Sequence, residues 1–124
     1  MAKKILVVDD EPFIVQMVTS RLNASGYETV TGADGQEALQ KAASEKPDLI
    51  ILDVMMPKMN GYQVCATLKQ DMRSQKIPVI LFTAKAGDEA VHTGIQECGA
   101  DAYIPKPFDA KMLLEKIAEL LKEK

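Results

Sequence analysis

Residues 47–53 read PDLIILD: a proline, an acid, four unbroken apolar residues from Leu49 to Leu52, and an aspartate, Asp53. A strand with one face in water alternates apolar and polar residues. An unbroken apolar run marks a strand covered on both faces, as in a parallel sheet flanked by helices. Similar runs stand at Ile5–Val8 and Pro78–Phe82, with a weaker one at Glu28–Thr31 and a short one at Ala102–Ile104. Helical spacing fills the intervals. Ile14, Val18 and Leu22 share a stripe within 12–24; Ala38, Leu39 and Ala42 do so within 36–45; Val64, Cys65 and Leu68 within 61–71; Val91, Ile95 and Cys98 within 88–98, where Gly94 weakens the helix. The last pattern is the clearest, with Leu113, Leu114, Ile117, Leu120 and Leu121 in phase and Asp109 placed to cap it. Gly26 and Gly99 follow helices, and Asp34-Gly35 and Asn60-Gly61 mark turns. The alternation is (βα)₅: an α/β, doubly wound, five-stranded parallel sheet with helices on both faces, too short for an eight-stranded barrel.

The chain has 124 residues, enough for one domain spanning 1–124. Hydrophobic residues are 47% and charged residues 27%, an ordinary globular mix. A net charge of −3 leaves no electrostatic footprint for nucleic acid or an anionic membrane surface. No run approaches the roughly 20 apolar residues that span a bilayer, and Ile5–Val8 is too short for a signal-peptide core. Cys65 and Cys98 form neither a CxxC pair nor a zinc spacing, so the expected setting is a reduced cytoplasm.

In open α/β sheets, ligands bind beyond the carboxyl ends of the strands. There the first run delivers Asp9-Asp10-Glu11, the third Asp53, the fourth Thr83-Ala84 and the fifth Lys106-Pro107. Under the order 2-1-3-4-5, one of the two common for such sheets, Asp9, Asp10 and Asp53 converge between adjacent strands. Carboxylates about 4 Å apart repel by roughly 4 kcal/mol at an effective dielectric of 20. Lys106 offers one positive charge, so a divalent cation is the remaining remedy. Hard oxygen ligands without His or Cys select Mg²⁺, or Mn²⁺ in its place. Open coordination positions suit phosphoryl oxygens, and a carboxylate can itself become an aspartyl phosphate. Asp53 is the acceptor candidate, with Asp9 and Asp10 holding metal.

Four segments together resemble the receiver domains of two-component response regulators, from Lys4 to about Leu121: ILVVDDEP, PDLIILDVMMPKMNG, PVILFTA and GADAYIPKPF. The resemblance implies the flavodoxin-like 2-1-3-4-5 order. It implies Asp53 as phosphoacceptor, Asp10 as a direct Mg²⁺ ligand, Asp9 as a ligand acting largely through water, and the Met55 backbone carbonyl as a further metal ligand. Thr83 matches the switch hydroxyl, Tyr103 the switch aromatic, Lys106 the cation that pairs with the phosphoryl group, and Pro107 a position preceded by a cis peptide bond. Gly61 matches a structural glycine; Asn60 before it replaces a common Asp. Met55 and Lys85 occupy two positions that tune self-dephosphorylation. Fast regulators carry amide and acidic side chains there, so Met and Lys imply a longer-lived phosphoryl group.

The implied donors are a sensor histidine kinase or a histidine phosphotransfer protein. The implied output is a remodelled surface of the fourth and fifth helices and the fifth strand that controls a protein partner. No direct nucleic-acid contact, no membrane insertion and a monomer or weak dimer are the accompanying expectations. The domain catalyses only its own phosphorylation and dephosphorylation and is not otherwise an enzyme. Taken singly, the paired aspartates read as solvated surface, Tyr103 as core filler, His92 as an exposed helical residue, and Cys65, Cys98 and Met56 as core. An FMN carrier is disfavoured because Asp9-Asp10-Glu11 repels phosphate, and an aspartate phosphatase because Met55 stands where a second Asp belongs. A phosphorylation-independent scaffold, or a receiver cut from a larger DNA-binding regulator, remains as an alternative.

Overall fold

The computed structural model describes residues 3–56, 59–83, 99–105 and 109–121, with only the backbone of Thr83. The helical pattern at 88–98, with His92 and Cys98, lies outside the described residues, as do Lys85, Lys106 and Pro107.

Five strands, β1 (Lys4–Val8), β2 (Glu28–Gly32), β3 (Leu49–Asp53), β4 (Val79–Thr83) and β5 (Ala102–Pro105), form one parallel sheet in the order β2-β1-β3-β4-β5. Four described helices connect or flank them: α1 (Pro12–Ala24), α2 (Gly35–Glu45), α3 (Gly61–Gln70) and α4 (Ala110–Leu121). Every residue of β3 is buried. Alternate side chains serve two separate cores, which is why the runs show no polar alternation. Leu6, Val8, Ile50, Leu52, Val79 and Leu81 pack against Ala38 and Ala42 of α2 and Val64, Cys65 and Leu68 of α3. Ile5, Val7, Leu49, Ile51, Ile80, Phe82 and Ile104 pack against Val18 and Leu22 of α1 and Leu113 and Ile117 of α4. Burying each such Val, Leu, Ile or Phe contributes about 1.5–3 kcal/mol relative to exposure.

Boundaries differ from expectation by a residue at several ends. The strand from 78 starts at Val79, because Pro78 has no N–H to give the ladder; its carbonyl still accepts from Ile50 at 3.0 Å. The weaker strand extends to Gly32 and is half-exposed as an edge. Two dipeptides read as turns also supply the caps of the helices that follow them. Asp34 caps α2, its carboxylate accepting from Glu37 N–H at 2.9 Å. Asn60 and Gln63 form a reciprocal capping box on α3, both bonds 2.9 Å. Asp109 caps the last helix as its position suggests, accepting from Lys111 N–H at 2.9 Å.

At the end of α1, Gly26 takes a φ of +93°. Its N–H donates to Asn23 O at 3.1 Å and that of Tyr27 to Leu22 O at 3.0 Å, the paired closure that a left-handed glycine permits. At the amino edge of the sheet, Asp48 before β3 accepts from Lys4 N–H, and Asp101 before β5 accepts from Val79 N–H, both at 2.8 Å. Each acid thus satisfies the entry amide of a neighbouring strand. Lys69 of α3 clasps Asp101 at 2.9 Å and the carbonyl of Ile77 at 2.8 Å.

Candidate functional site

The parallel register sets the carboxyl edge. Val8 lies opposite Leu52 across β1 and β3, and Asp53 lies opposite Phe82 across β3 and β4. Asp9 and Asp10 leave β1 beside the strand that ends in Asp53. One carboxylate oxygen from each of Asp9, Asp10 and Asp53 lies within 4.8 Å of the others. Asp9 and Asp53 are buried, and Asp10 is exposed.

Local backbone holds this arrangement. Asp9 Oδ1 accepts from Glu11 N–H at 2.9 Å, a short Asx-type turn that opens into α1 at Pro12. Asp53 Oδ1 accepts from Met55 N–H at 3.3 Å. The loop after β3 is tied back twice: Val54 N–H donates to Phe82 O, and Gly61 N–H to Val54 O, both at 3.0 Å. Gly61 fits tightly here. A Cβ on it would lie 2.5 Å from the Asp53 carbonyl oxygen and 2.9 Å from Val54 Cα. The residue read from sequence as half of a turn is where α3 meets the backbone of Asp53.

Three carboxylates at this spacing repel by about 3 kcal/mol per pair before solvent screening at Asp10. All the donors are hard oxygens, half-enclosed, with one member open to water. That donor set fits a divalent cation of the Mg²⁺ or Mn²⁺ type that retains several waters. Asp10, Val54, Met55, Met56, Asn60 and Tyr62 line a groove of about 590 Å³ beside the acids. Met55 is 65% exposed, whereas Met56 is buried. A larger groove, about 660 Å³, opens between α2 and α3 near Pro47, Ser74 and Ile77. The acid trio is not part of its lining.

Thr83 closes β4 opposite Pro105 of β5, so the backbone brings the fourth strand end next to the fifth. Tyr103 lies on β5 opposite Leu81, 40% exposed. The structure therefore brings Asp9, Asp10, Asp53 and Met55 together. The side chain of Thr83, and Lys85, Lys106 and Pro107, lie outside what it describes. The sequence reading missed the groove contributions of Val54, Asn60 and Tyr62; the Asn-x-x-Gln spacing of residues 60–63 was the available signal for the first turn of α3.

A five-stranded 2-1-3-4-5 sheet with three acids at the junction of β1 and β3 defines a doubly wound domain with an acidic, cation-suited switch point. The response regulator receiver domain family matches residues 5–118, and the chain belongs to that family. It is 45% identical over 122 residues to the alkaline phosphatase synthesis transcriptional regulatory protein PhoP of Bacillus subtilis, covering 98% of this chain and 50% of PhoP. A putative response regulator from Chloroflexus aurantiacus superposes with a TM-score of 0.93 at 31% identity, covering 98% of both chains. The receiver domain of the sensor histidine kinase PA1611 from Pseudomonas aeruginosa, solved with a magnesium ion coordinated in its active site cleft, gives 0.89 at 26% identity, again with 98% of both covered. The chain spans about half the length of PhoP and of other curated relatives it matches. Those relatives include transcriptional and DNA-binding regulators, so the expectation of no nucleic-acid partner has no support from them. Among the described residues, no helix is long and apolar enough to cross a membrane.

Proposed function

We propose that this receiver domain is a phosphorylation switch in which Asp53 accepts a phosphoryl group with the help of Mg²⁺. The observation that carries the reading is the convergence of the Asp9, Asp10 and Asp53 carboxylates within 4.8 Å at the junction of β1 and β3. Asp10 and Asp53 would ligate the ion directly, Asp9 largely through water, and the Met55 carbonyl would complete the protein's share. Held there, the ion would neutralise acceptor and phosphoryl charge. A histidine kinase or histidine phosphotransfer protein is the donor class, in a cytoplasmic setting. Asp53 attacks the phosphorus in line, the P–N bond of the phosphohistidine breaks, and the imidazole leaves with the electron pair.

Thr83 then hydrogen-bonds the phosphoryl group and Lys106 pairs with it, across a peptide bond to Pro107 that is expected to be cis. Tyr103 turns inward from its half-exposed position, and the surface of the 88–98 segment, β5 and α4 changes for a protein partner. Phosphorylation biases a pre-existing equilibrium. Met55 and Lys85 limit water's approach, so self-dephosphorylation is slow. The domain acts as a monomer or a weak dimer.

Intact mass after incubation with acetyl phosphate tests this. A Mg²⁺-dependent gain of one phosphoryl, absent from Asp53→Asn, is the expected result. No gain from either acetyl phosphate or a phosphorylated kinase would favour a phosphorylation-independent scaffold. A second reading concerns the whole protein: its relatives are transcriptional regulators about twice as long. On that reading the switch controls DNA binding by a separate domain.

A further inference from the structure

The loop after the acceptor strand carries methionines of contrasting exposure. Met55 is 65% exposed and Met56 8% exposed, while Met59 packs against the core between α2 and α3. Met55 is also tied to the acceptor, its N–H donating to Asp53 Oδ1 at 3.3 Å. Its side chain lines the groove that also touches Asp10. A thioether in this position is open to oxidants, on a residue whose own backbone amide holds the Asp53 carboxylate.

We infer that Met55 is an oxidation site, and that its conversion to the sulfoxide by a hydroperoxide shortens the life of the phosphoryl group on Asp53. The inference rests on Asp53 being the phosphoacceptor. The chemistry balances with hydrogen peroxide as co-reactant. The sulfur lone pair attacks one peroxide oxygen, the O–O bond breaks, and the other oxygen leaves as water after taking a proton. Sulfur is oxidised by two electrons and peroxide is reduced by two. The product replaces an apolar shield with a polar sulfinyl oxygen, a strong hydrogen-bond acceptor. That oxygen recruits and orients water beside the acyl phosphate, where the unmodified side chain excludes it.

The structure supplies its own comparisons. Met72, 84% exposed, sits in the turn after α3, at the amino edge of the sheet and away from the acids. It should oxidise readily without affecting the site. Met56 should resist.

The test treats the unphosphorylated protein with hydrogen peroxide and locates the added oxygens by peptide mass. The protein is then loaded with acetyl phosphate and Mg²⁺, and decay is followed by intact mass. Expected are sulfoxides at Met55 and Met72, with slower conversion of the less exposed Met112 and Met17, and a phosphoryl half-life shortened at least about threefold, the factor that one added hydrogen bond to attacking water supplies. The two methionine sulfoxide reductases together, one for each sulfoxide epimer, should restore the original decay. Met55→Leu removes the thioether but keeps the backbone carbonyl, so its half-life should be the same before and after peroxide despite oxidation at Met72, Met112 and Met17 and any at cysteine. Met55→Gln should decay faster than Met55→Leu without any oxidant. Equal half-lives in oxidised and untreated wild type would overturn the inference, as would a Met55 that stays unoxidised when Met72 is fully converted. A protein that loads phosphoryl neither from acetyl phosphate nor from a phosphorylated kinase, oxidised or not, would overturn the acceptor reading and the inference with it.

Discussion

Replacing Gly61 by alanine places a methyl group where α3 presses on the backbone of Asp53. The added carbon would lie 2.5 Å from the Asp53 carbonyl oxygen, 2.9 Å from Val54 Cα and 3.1 Å from the Asp53 carbonyl carbon. Ordinary contact begins at 3.4 Å, so about 0.9 Å of relief is needed at the tightest point, all of it from backbone. The Gly61 N–H bond to Val54 O at 3.0 Å and the Asn60–Gln63 capping box resist that movement from the helix side. Overpacking of this kind costs about 1–3 kcal/mol, and alanine's better helix propensity returns at most about 1 kcal/mol. A net loss of about 1–2 kcal/mol is expected in urea denaturation. The site should suffer more than the fold. A misplacement near 1 Å costs on the order of 10²-fold in rate, so Mg²⁺-dependent labelling by acetyl phosphate should slow by about tenfold or more. A variant within about 0.5 kcal/mol of wild type, the spread of ordinary surface substitutions, and labelled at the same rate would refute the reasoning. The methyl would then be absorbed without disturbing β3.

Asp53→Asn removes one of three clustered carboxylates. It should raise the stability of the metal-free protein by about 1–3 kcal/mol in chelator-treated thermal melts. Mg²⁺ at 100 times its dissociation constant should stabilise wild type by about 2.7 kcal/mol and the variant by clearly less. Asn60→Ala opens the capping box and should cost about 1 kcal/mol in denaturant, while Asn60→Asp should stay close to wild type. Hydrogen bonds from the Arg73 side chain and backbone N–H hold the Asp71 carboxyl below its usual 3.8. Its small contribution to stability is therefore complete above that value and fades as pH falls through the lower folded one. Arg73→Ala should move the Asp71 midpoint upward in an NMR titration, and an unmoved midpoint would show the pair is not formed in solution.

Much of this was legible in advance because parallel strands leave a strong imprint. Leu49–Leu52 and Ile5–Val8 had to be covered on both faces, and the two cores show how. The stripe of α4 was equally plain, with Leu113 and Ile117 at its centre, whereas that of α1 is looser, since Phe13 and Met17 lie exposed outside it. Convergence of Asp9, Asp10 and Asp53 was less direct. It required the third run to lie beside the first, an order that spacing alone does not fix and the resemblance supplied. Asp34-Gly35 and Asn60-Gly61 were read only as turns ahead of their helices; that Asp34 and Asn60 also cap those helices was missed, because Asp-Gly and Asn-Gly serve both purposes. The tight contact at Gly61 was hidden for another reason: a glycine needed for space rather than for its backbone angles looks like any other. The amide-capping roles of Asp48 and Asp101, and the clasp of Lys69 on Asp101, join residues remote in sequence and leave no local pattern.

The strand order also divides the domain by how readily its parts come loose. Asp53 ends the central strand and Asp9 and Asp10 follow an inner one, whereas Tyr103 lies on the edge strand β5. Amide hydrogens of Ile50–Leu52 should therefore exchange only when the whole molecule unfolds, and those of β5 and α4 through smaller, partial openings. A form with that edge peeled away keeps its trio of acids in register and should still be able to hold a cation. On the proposed switch, it has lost the strand whose Tyr103 would report on them. Mild denaturant should thus expose a partly opened species that binds metal but carries no signal to its surface.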